Sequence, residues 1–530
     1  MALPSQGFSG DAATMVLRDW MLLAGPEYGL AAIGVVAGLL FRGATLPRLA
    51  LAPIAAILVA LLAVCARQVA GATFPAFHVA LGGEAVPICG AVCAFVFGLA
   101  AGLRSWSFGR APTVIRGTRL VDARGVAWSR GRGRSLRLCG QTVPETDEAK
   151  HFKLVGTTGT GKTTAIRGLI RDALLRGDRA VIADPDGTYL KEFHDPSRGD
   201  RVLNPLDARA CRWDLFGEVS RSHDADSVAR ALVPDQGGDD RSWRAYARIF
   251  VSATIRQLAG SGCGDLPTLH RLIAHAPPEE LRELLAGTAA SSYLADENSR
   301  FFASVRAIAS SELAVFDHLA SQDAGQPLSI REWIRGEPSG SPSRALFLPY
   351  RASQIATLRG LISAWIRLAI FETMDLGEAD HRLWFVVDEL DALGAVDGLK
   401  DALARLRKYG GRCVLGMQSI GQLSGTYGAS AAQTIVENCG NTLILRCSAA
   451  ENGGTARFAS TLIGEREVLR THVSKSRAAF FERPQSGRSY TTQRHLERAV
   501  LPAELEQLPD LQGYLRFASS PAWMRVVVRR

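Results

Sequence analysis

The sequence predicts an α/β protein built from strand–helix units, interrupted by a helical insertion and preceded by a membrane anchor. Three observations carry that prediction. Gly156-Thr157-Thr158-Gly159-Thr160-Gly161-Lys162-Thr163 fits the phosphate-binding pattern G-x-x-x-x-G-K-[ST] at every fixed position. A second motif, an apolar run ending in Asp388-Glu389, stands 226 positions after Lys162, far more than a few strand–helix units require. Residues 49–66 and 86–103 are each 18 residues long without one charge, enough to cross the ~30 Å hydrocarbon core of a bilayer.

The anchor comes first in the chain. The two apolar runs form a hairpin of transmembrane helices, and a third stretch of 14 residues, 28–41, leaves the count at two or three. The linker 67–85 carries one Arg and one Glu, whereas residues 104–137 carry nine Arg against the single Asp122. Positive charge stays on the cytoplasmic side, so everything after Leu103 is expected in the cytoplasm, with the chain multi-pass in the membrane. The n-region of a cleavable signal peptide is missing.

The P-loop needs a strand before it and a helix after it, and both are present. Lys153-Leu154-Val155 closes a short apolar run, and Ile166, Leu169, Ile170, Ala173 and Leu174 recur at helical spacing until Gly177. The nine residues Gly156, Thr157, Thr158, Gly159, Thr160, Gly161, Lys162, Thr163 and Thr164 are the candidate nucleotide-binding set. Glycines let successive N–H groups turn toward phosphate oxygens, Lys162 reaches the β/γ-phosphates, and the Thr163 hydroxyl holds Mg²⁺.

A second strand, 179–184, ends in Asp184-Pro185-Asp186-Gly187. Asp184 reads equally as a ligand-edge carboxylate or as turn chemistry. The strand Leu383-Trp384-Phe385-Val386-Val387 ends in two acids, the Walker B arrangement. Asp388 is expected to orient Mg²⁺ and Glu389 to polarise the attacking water, with ATP as the nucleotide. A strand at 412–417 delivers Gln418 to the same edge, in the position of a γ-phosphate sensor. Catalytic candidates are therefore Lys162, Glu389 and Gln418, and metal-site candidates are Thr163 and Asp388. Leu423-Ser424-Gly425 does not precede the Walker B strand, which excludes an ABC-transporter signature, and the base-reading N-K-x-D motif of GTPases is missing.

The long gap between the two motifs reads as helices. Trp243, Ala247, Phe250, Ala253 and Leu258 recur near helical spacing, as do Phe301, Val305 and Ile308, with Pro267, Pro277-Pro278 and Pro327 as punctuation. The core then resumes with a strand at 345–350. The basic residues Arg405, Arg407, Lys408 and Arg412 fit either a channel lining or a solvated face, and the polar stretch 471–498 reads as a loop or hairpin. The resulting division is 1–104 anchor, 105–221 first part of the nucleotide-binding domain, 222–335 all-α domain, and 336–530 second part.

The formal charge of +9 favours a polyanionic partner, nucleic acid or an anionic membrane. The nine cysteines are scattered; their one close pair, Cys89 and Cys93, lies in an apolar run, so no disulfide framework or metal set is read from them.

Taken together, the order of motifs resembles the conjugative coupling proteins of the TrwB/TraD type, membrane-anchored ATPases of type IV secretion. The resemblance rests on H-F-K-L-V-G-T-T-G-T-G-K-T-T, V-I-A-D-P-D-G, the helical insertion, L-W-F-V-V-D-E-L, R-K-Y-G-G-R-C-V-L-G-M-Q-S and L-P-A-E-L-E-Q-L-P-D-L-Q-G-Y. It implies a RecA-like P-loop ATPase domain, a homohexameric ring around a channel for single-stranded DNA, and coupling of a relaxase–DNA complex to the secretion channel. An arginine acting across subunits is implied as well, with Arg412, Arg446 and Arg457 all open. Two other expectations compete: a membrane receptor or scaffold that uses nucleotide only as a switch, and a translocase of the FtsK kind.

Overall fold

The computed structural model describes residues 113–123, 135–235, 241–320, 325–336, 344–378, 382–449, 454–475 and 488–529, with a few positions of the N-terminal unit. The chain divides into two compact units, Met1–Pro112 and Thr113–Arg530. Among the described residues no helix is long and apolar enough to cross a membrane. The runs expected to do so, 28–41, 49–66 and 86–103, lie outside the described residues apart from scattered positions.

The second unit is organised by one sheet. Its strands are β1 (Arg119–Asp122), β2 (Phe152–Val155), β3 (Arg179–Pro185), β4 (Arg201–Val202), β5 (Ala345–Tyr350), β6 (Leu383–Val387), β7 (Gly411–Met417), β8 (Asn441–Ile444), β9 (Gln512–Arg516) and β10 (Ala522–Val527). Their spatial order is β1-β10-β9-β8-β2-β7-β6-β3-β5-β4. From β8 to β4 every pairing is parallel, so the carboxyl ends of β2, β7, β6, β3 and β5 open onto one edge, where ligands of such sheets collect. Strand β7 lies between the P-loop strand β2 and the Walker B strand β6.

Both faces of these strands are buried, and alternate residues supply alternate faces. Val181, Ala183, Leu346, Leu348, Phe385, Val387, Cys413 and Leu415 pack on one side. Ala180, Ile182, Phe347, Trp384, Val386 and Val414 pack on the other, against Ile166, Leu169, Ile170 and Ala173 of the P-loop helix Lys162–Arg176. That helix stops where Gly177 takes φ 99° and the Asp178 N–H donates to the Ala173 carbonyl at 3.0 Å. Lys153 is the one cation in the otherwise apolar strand β2. It is buried, and its ammonium donates to the Val436 carbonyl at 3.0 Å and to that of Cys439.

Between β4 and β5 the chain forms helices including Ser222–Leu232, Arg241–Ser261, Leu266–Ala274 and Ser299–Glu312. Their apolar stripes do not close on themselves alone. Phe250, Val305 and Trp333 belong to the same continuous cluster as Val181 and Phe385 of the sheet, with Trp365 of the long helix Ile355–Asp375 between them. A buried charge network ties the same region: Arg331 pairs with Asp224 at 2.5 Å and with Glu372 at 3.1 Å. The basic stretch 471–498, expected as a loop or hairpin, takes in the end of one eleven-residue strand, Glu465–Lys475, and the whole of its antiparallel partner, Arg488–Arg498, with Thr113–Gly117 added alongside.

Candidate nucleotide site

The P-loop leaves β2 and curls over the carboxyl edge of the sheet. Gly159 and Gly161 hold φ of 77° and 113°, a region L-residues with side chains avoid. A Cβ on Gly161 would also meet Leu511 Cδ2 at 2.8 Å. The loop is braced from several directions: the Gly156 N–H donates to the Met417 carbonyl at 3.2 Å, Thr157 N–H to that of Arg446 at 2.9 Å, and Leu511 N–H to that of Thr160 at 3.0 Å. Thr160 is buried and its hydroxyl donates to the Thr157 carbonyl at 2.7 Å, so this side chain shapes the loop. Thr158 and Gly159 are exposed at its tip, and Thr164 is half-buried one residue beyond Thr163.

Lys162 is buried under the loop. Its ammonium donates to the carbonyls of Gly156 at 2.6 Å and Thr157 at 3.1 Å. Burial lowers its pKa from the ordinary lysine value, opposed by the carboxylates of Asp388, Glu389 and Asp391.

The two distant motifs meet here. The Thr163 hydroxyl donates to Asp388 Oδ2 at 2.6 Å. Asp388 is 2% exposed; its Oδ2 also accepts from the Tyr189 hydroxyl at 2.8 Å, while its Oδ1 is buried without a hydrogen-bond partner. Next to it, Glu389 accepts from Gln418 Nε2 at 2.9 Å, and Gln418 Oε1 accepts from the Thr158 hydroxyl at 3.2 Å. Burial raises the Glu389 pKa, reinforced by the carboxylates of Asp388 and Asp391 and opposed by the Gln418 hydrogen bond, which suits a carboxylate that takes up a proton.

This donor set fits a magnesium nucleotide. A buried, unpartnered carboxylate oxygen costs free energy unless a cation or water fills its lone pairs, and the Thr163 hydroxyl lies against the same carboxylate. Thr163, Asp388, Glu389 and Gln418 thus converge with Lys162 on one sheet edge.

Asp184 sits at the carboxyl end of β3 but faces inward. It is fully buried and accepts the N–H groups of Tyr189 at 3.0 Å and Leu190 at 2.6 Å; burial pushes its carboxyl up to about 6. Of the three arginines left open, Arg412 lies at the opposite, amino-terminal edge, half-buried between Glu148 at 3.5 Å and the Trp384 ring. Arg446 flanks the P-loop and pairs with Asp510 at 2.7 Å, and Arg457 is exposed on the helix Gly454–Ile463. The basic turn at Arg407 and Lys408 is also at the amino-terminal edge, ahead of β7.

Three participants escaped the motif reading. Tyr189 stands on the short helix Thr188–Phe193 after β3, Tyr350 ends β5 with a buried, unpartnered hydroxyl, and Gly416 lies in β7 beside the Asp388 backbone. The signal available for the two tyrosines was their place at carboxyl ends of parallel strands. For Gly416 it was a glycine inside a strand, which marks close backbone approach.

Comparison with known proteins gives a consistent result. Residues 136–529 match the family described as the type IV secretion-system coupling protein DNA-binding domain. Coupling protein TraD of Escherichia coli K12 is 31% identical over 389 residues, 73% of this chain and 53% of TraD, so this chain spans about half the length of that relative. The solved structure of the bacterial conjugative coupling protein TrwBΔN70, unbound monoclinic form, is 32% identical with a TM-score of 0.70, covering 80% of this chain and 96% of that one. A structure of plasmid coupling protein TrwB in complex with ADP and Mg²⁺ is 32% identical with a TM-score of 0.68, covering 79% and 96%. The chain belongs to the type IV secretion-system coupling protein family.

Proposed function

We propose that this chain is a membrane-anchored P-loop ATPase that delivers single-stranded DNA, with its relaxase, to a type IV secretion channel during conjugation. The observation that carries the reading is one set of contacts at one sheet edge: Thr163 on Asp388, and Gln418 between Glu389 and Thr158. Residues from three strand tips are joined there, which supports an ATP-hydrolysing site. The family, whose domain is described as DNA-binding, and a relative solved with ADP and Mg²⁺ support the partners and the cofactors. The uncharged runs at 49–66 and 86–103 and the arginines that follow support a multi-pass anchor in the inner membrane. We retain the division into 1–104, 105–221, 222–335 and 336–530, with the ATPase portion in the cytoplasm and a homohexamer as the working assembly.

In this reading Lys162 exchanges the Gly156 and Thr157 carbonyls for β/γ-phosphate oxygens, and the P-loop N–H groups hold the remaining phosphate charge. Bound Mg²⁺ would spread the negative charge that develops on the transferred phosphoryl group. Thr163 and Asp388 would hold it. Glu389 accepts the proton of the attacking water, and Gln418, already bonded to Glu389, links that water to the P-loop through Thr158.

The test uses the full chain in detergent. ATP turnover should rise with single-stranded DNA, and DNA binding should weaken steeply with salt, because phosphate contacts release counterions. Glu389→Gln should lower turnover by about 100-fold or more while leaving nucleotide binding intact, and Lys162→Ala should lose both. Wild-type protein without ATP turnover under hexamer-forming conditions would overturn the motor. Undiminished DNA transfer by Glu389→Gln would point to the nucleotide-switched receptor.

A further inference from the structure

We propose that Tyr189 is a positioning residue for the metal: its hydroxyl locks the Asp388 carboxylate so that Oδ1 stays turned toward the cation. The inference rests on the magnesium-nucleotide reading of the site and deepens it.

Asp388 has two oxygens in unlike surroundings. Oδ2 takes two donors, the Thr163 hydroxyl at 2.6 Å and the Tyr189 hydroxyl at 2.8 Å. Oδ1 takes none and is buried. A carboxylate with donors on one oxygen alone is held in rotation about its χ2 bond, a torsion otherwise broad and two-fold. The free oxygen therefore has a fixed direction.

The two donors differ in permanence. Thr163 is the residue whose hydroxyl the P-loop assigns to the cation, and a hydroxyl that offers a lone pair to a cation while donating its proton to Oδ2 takes its direction from the cation as well as from the carboxylate. Tyr189 has no such second duty. It is fully buried, so its phenol has no room to swing away. Its backbone is clamped as well, because Asp184 accepts the N–H groups of Tyr189 and Leu190 and thereby fixes the helix Thr188–Phe193 to the tip of β3. The order of support runs from β3 through Asp184 to Tyr189 and from Tyr189 to Asp388, just past the end of the neighbouring strand β6. Partners that orient metal ligands in this way are worth about 10- to 100-fold in metal affinity.

The experiment is a pair of titrations on the full-length protein, wild type against Tyr189→Phe, using a fluorescent ADP analogue. Nucleotide affinity in EDTA should agree within about twofold, since the phenol's hydrogen bond goes to Asp388. The Mg²⁺ concentration giving half of the metal-dependent gain in affinity should rise about tenfold or more in the variant. Turnover at saturating Mg²⁺ should recover most of the wild-type rate, so that the defect lies in the metal requirement. Asp184→Asn keeps the phenol but weakens the clamp, and it should shift the Mg²⁺ requirement in the same direction. An unchanged Mg²⁺ requirement in Tyr189→Phe, or an equal loss of affinity with and without Mg²⁺, would overturn the proposal. Failure of the wild type to bind nucleotide at all would instead overturn the site reading on which it stands.

Discussion

Gly416→Ala is the sharpest perturbation the structure offers. A Cβ at this position would lie 2.0 Å from the Asp388 carbonyl oxygen, 2.8 Å from its carbonyl carbon and 3.0 Å from its Cα, all backbone atoms. Real Cβ contacts essentially never fall below 3.0 Å, so the Walker B turn would have to move by about 1 Å. Little can give way. Gly416 pairs with Leu154 of β2, the preceding Leu415 with Val387 of β6, and the Gly416 carbonyl accepts the Leu390 N–H at 3.1 Å. Overpacking of this kind costs about 1–3 kcal/mol, and the upper end applies where only backbone can yield. A displacement of about 1 Å at the reacting groups costs on the order of 100-fold in rate. Urea denaturation and ATP turnover read the two effects separately. Gly425→Ala is the control, because a Cβ there meets nothing within 4 Å and the residue lies in the helix Ile420–Tyr427; alanine should be neutral or stabilise by about 0.5–1 kcal/mol. Wild-type turnover and stability in Gly416→Ala would refute the reasoning.

Two further outcomes follow from buried charge. Arg331→Met removes one partner of Asp224 and one of Glu372, whose side chains are 4% and 6% exposed, and should destabilise by about 3–5 kcal/mol; a loss below about 1 kcal/mol in chemical denaturation would show that the network is solvated. His151 is buried, its Nδ1 accepting from the Cys413 N–H and its Nε2 donating to the Leu403 carbonyl, and burial pushes it down to about 4 from 6.5. A folded-state pKa below the unfolded value means that the unfolded chain binds the extra proton, so this contribution is complete above pH 6.5 and falls by about 1.4 kcal/mol per pH unit between 6.5 and 4. Asp184 and Glu218, raised by burial to about 6 and about 7, act with the opposite sign, so the effect is read as the difference between wild type and His151→Asn. Asparagine tolerates the φ of 54° at this position, and parallel pH–stability curves for the two proteins would contradict the assignment.

The elements of the nucleotide site that were legible in the sequence are those whose physics is local. A P-loop is specified by glycines where the backbone must turn through positive φ, by a lysine and a threonine at the start of a helix, and by apolar residues at strand and helix spacing on either side. Strand β6 and its acidic pair were legible for the same reason, since five consecutive apolar residues, too few for a helix, fit a strand covered on both faces, as their burial bears out. The placement of Gln418 was expected from a strand reading alone, and its bonds to Glu389 and Thr158 depend on β7 lying between β2 and β6.

The amino-acid sequence by itself determined the chemistry at this edge: which side chain carries the positive charge, which carry the acids, and which glycines let the turn between them take positive φ. Only the tertiary structure decided who supports them. Tyr189 reaches Asp388 across 199 positions of chain, and Leu511 closes against Gly161 from the far end of the sequence, because neighbouring strands bring together residues that no local period connects. The order of strands is set by burying two apolar faces at once and by parallel crossovers that skip neighbours, a condition on the whole chain rather than on any window of it.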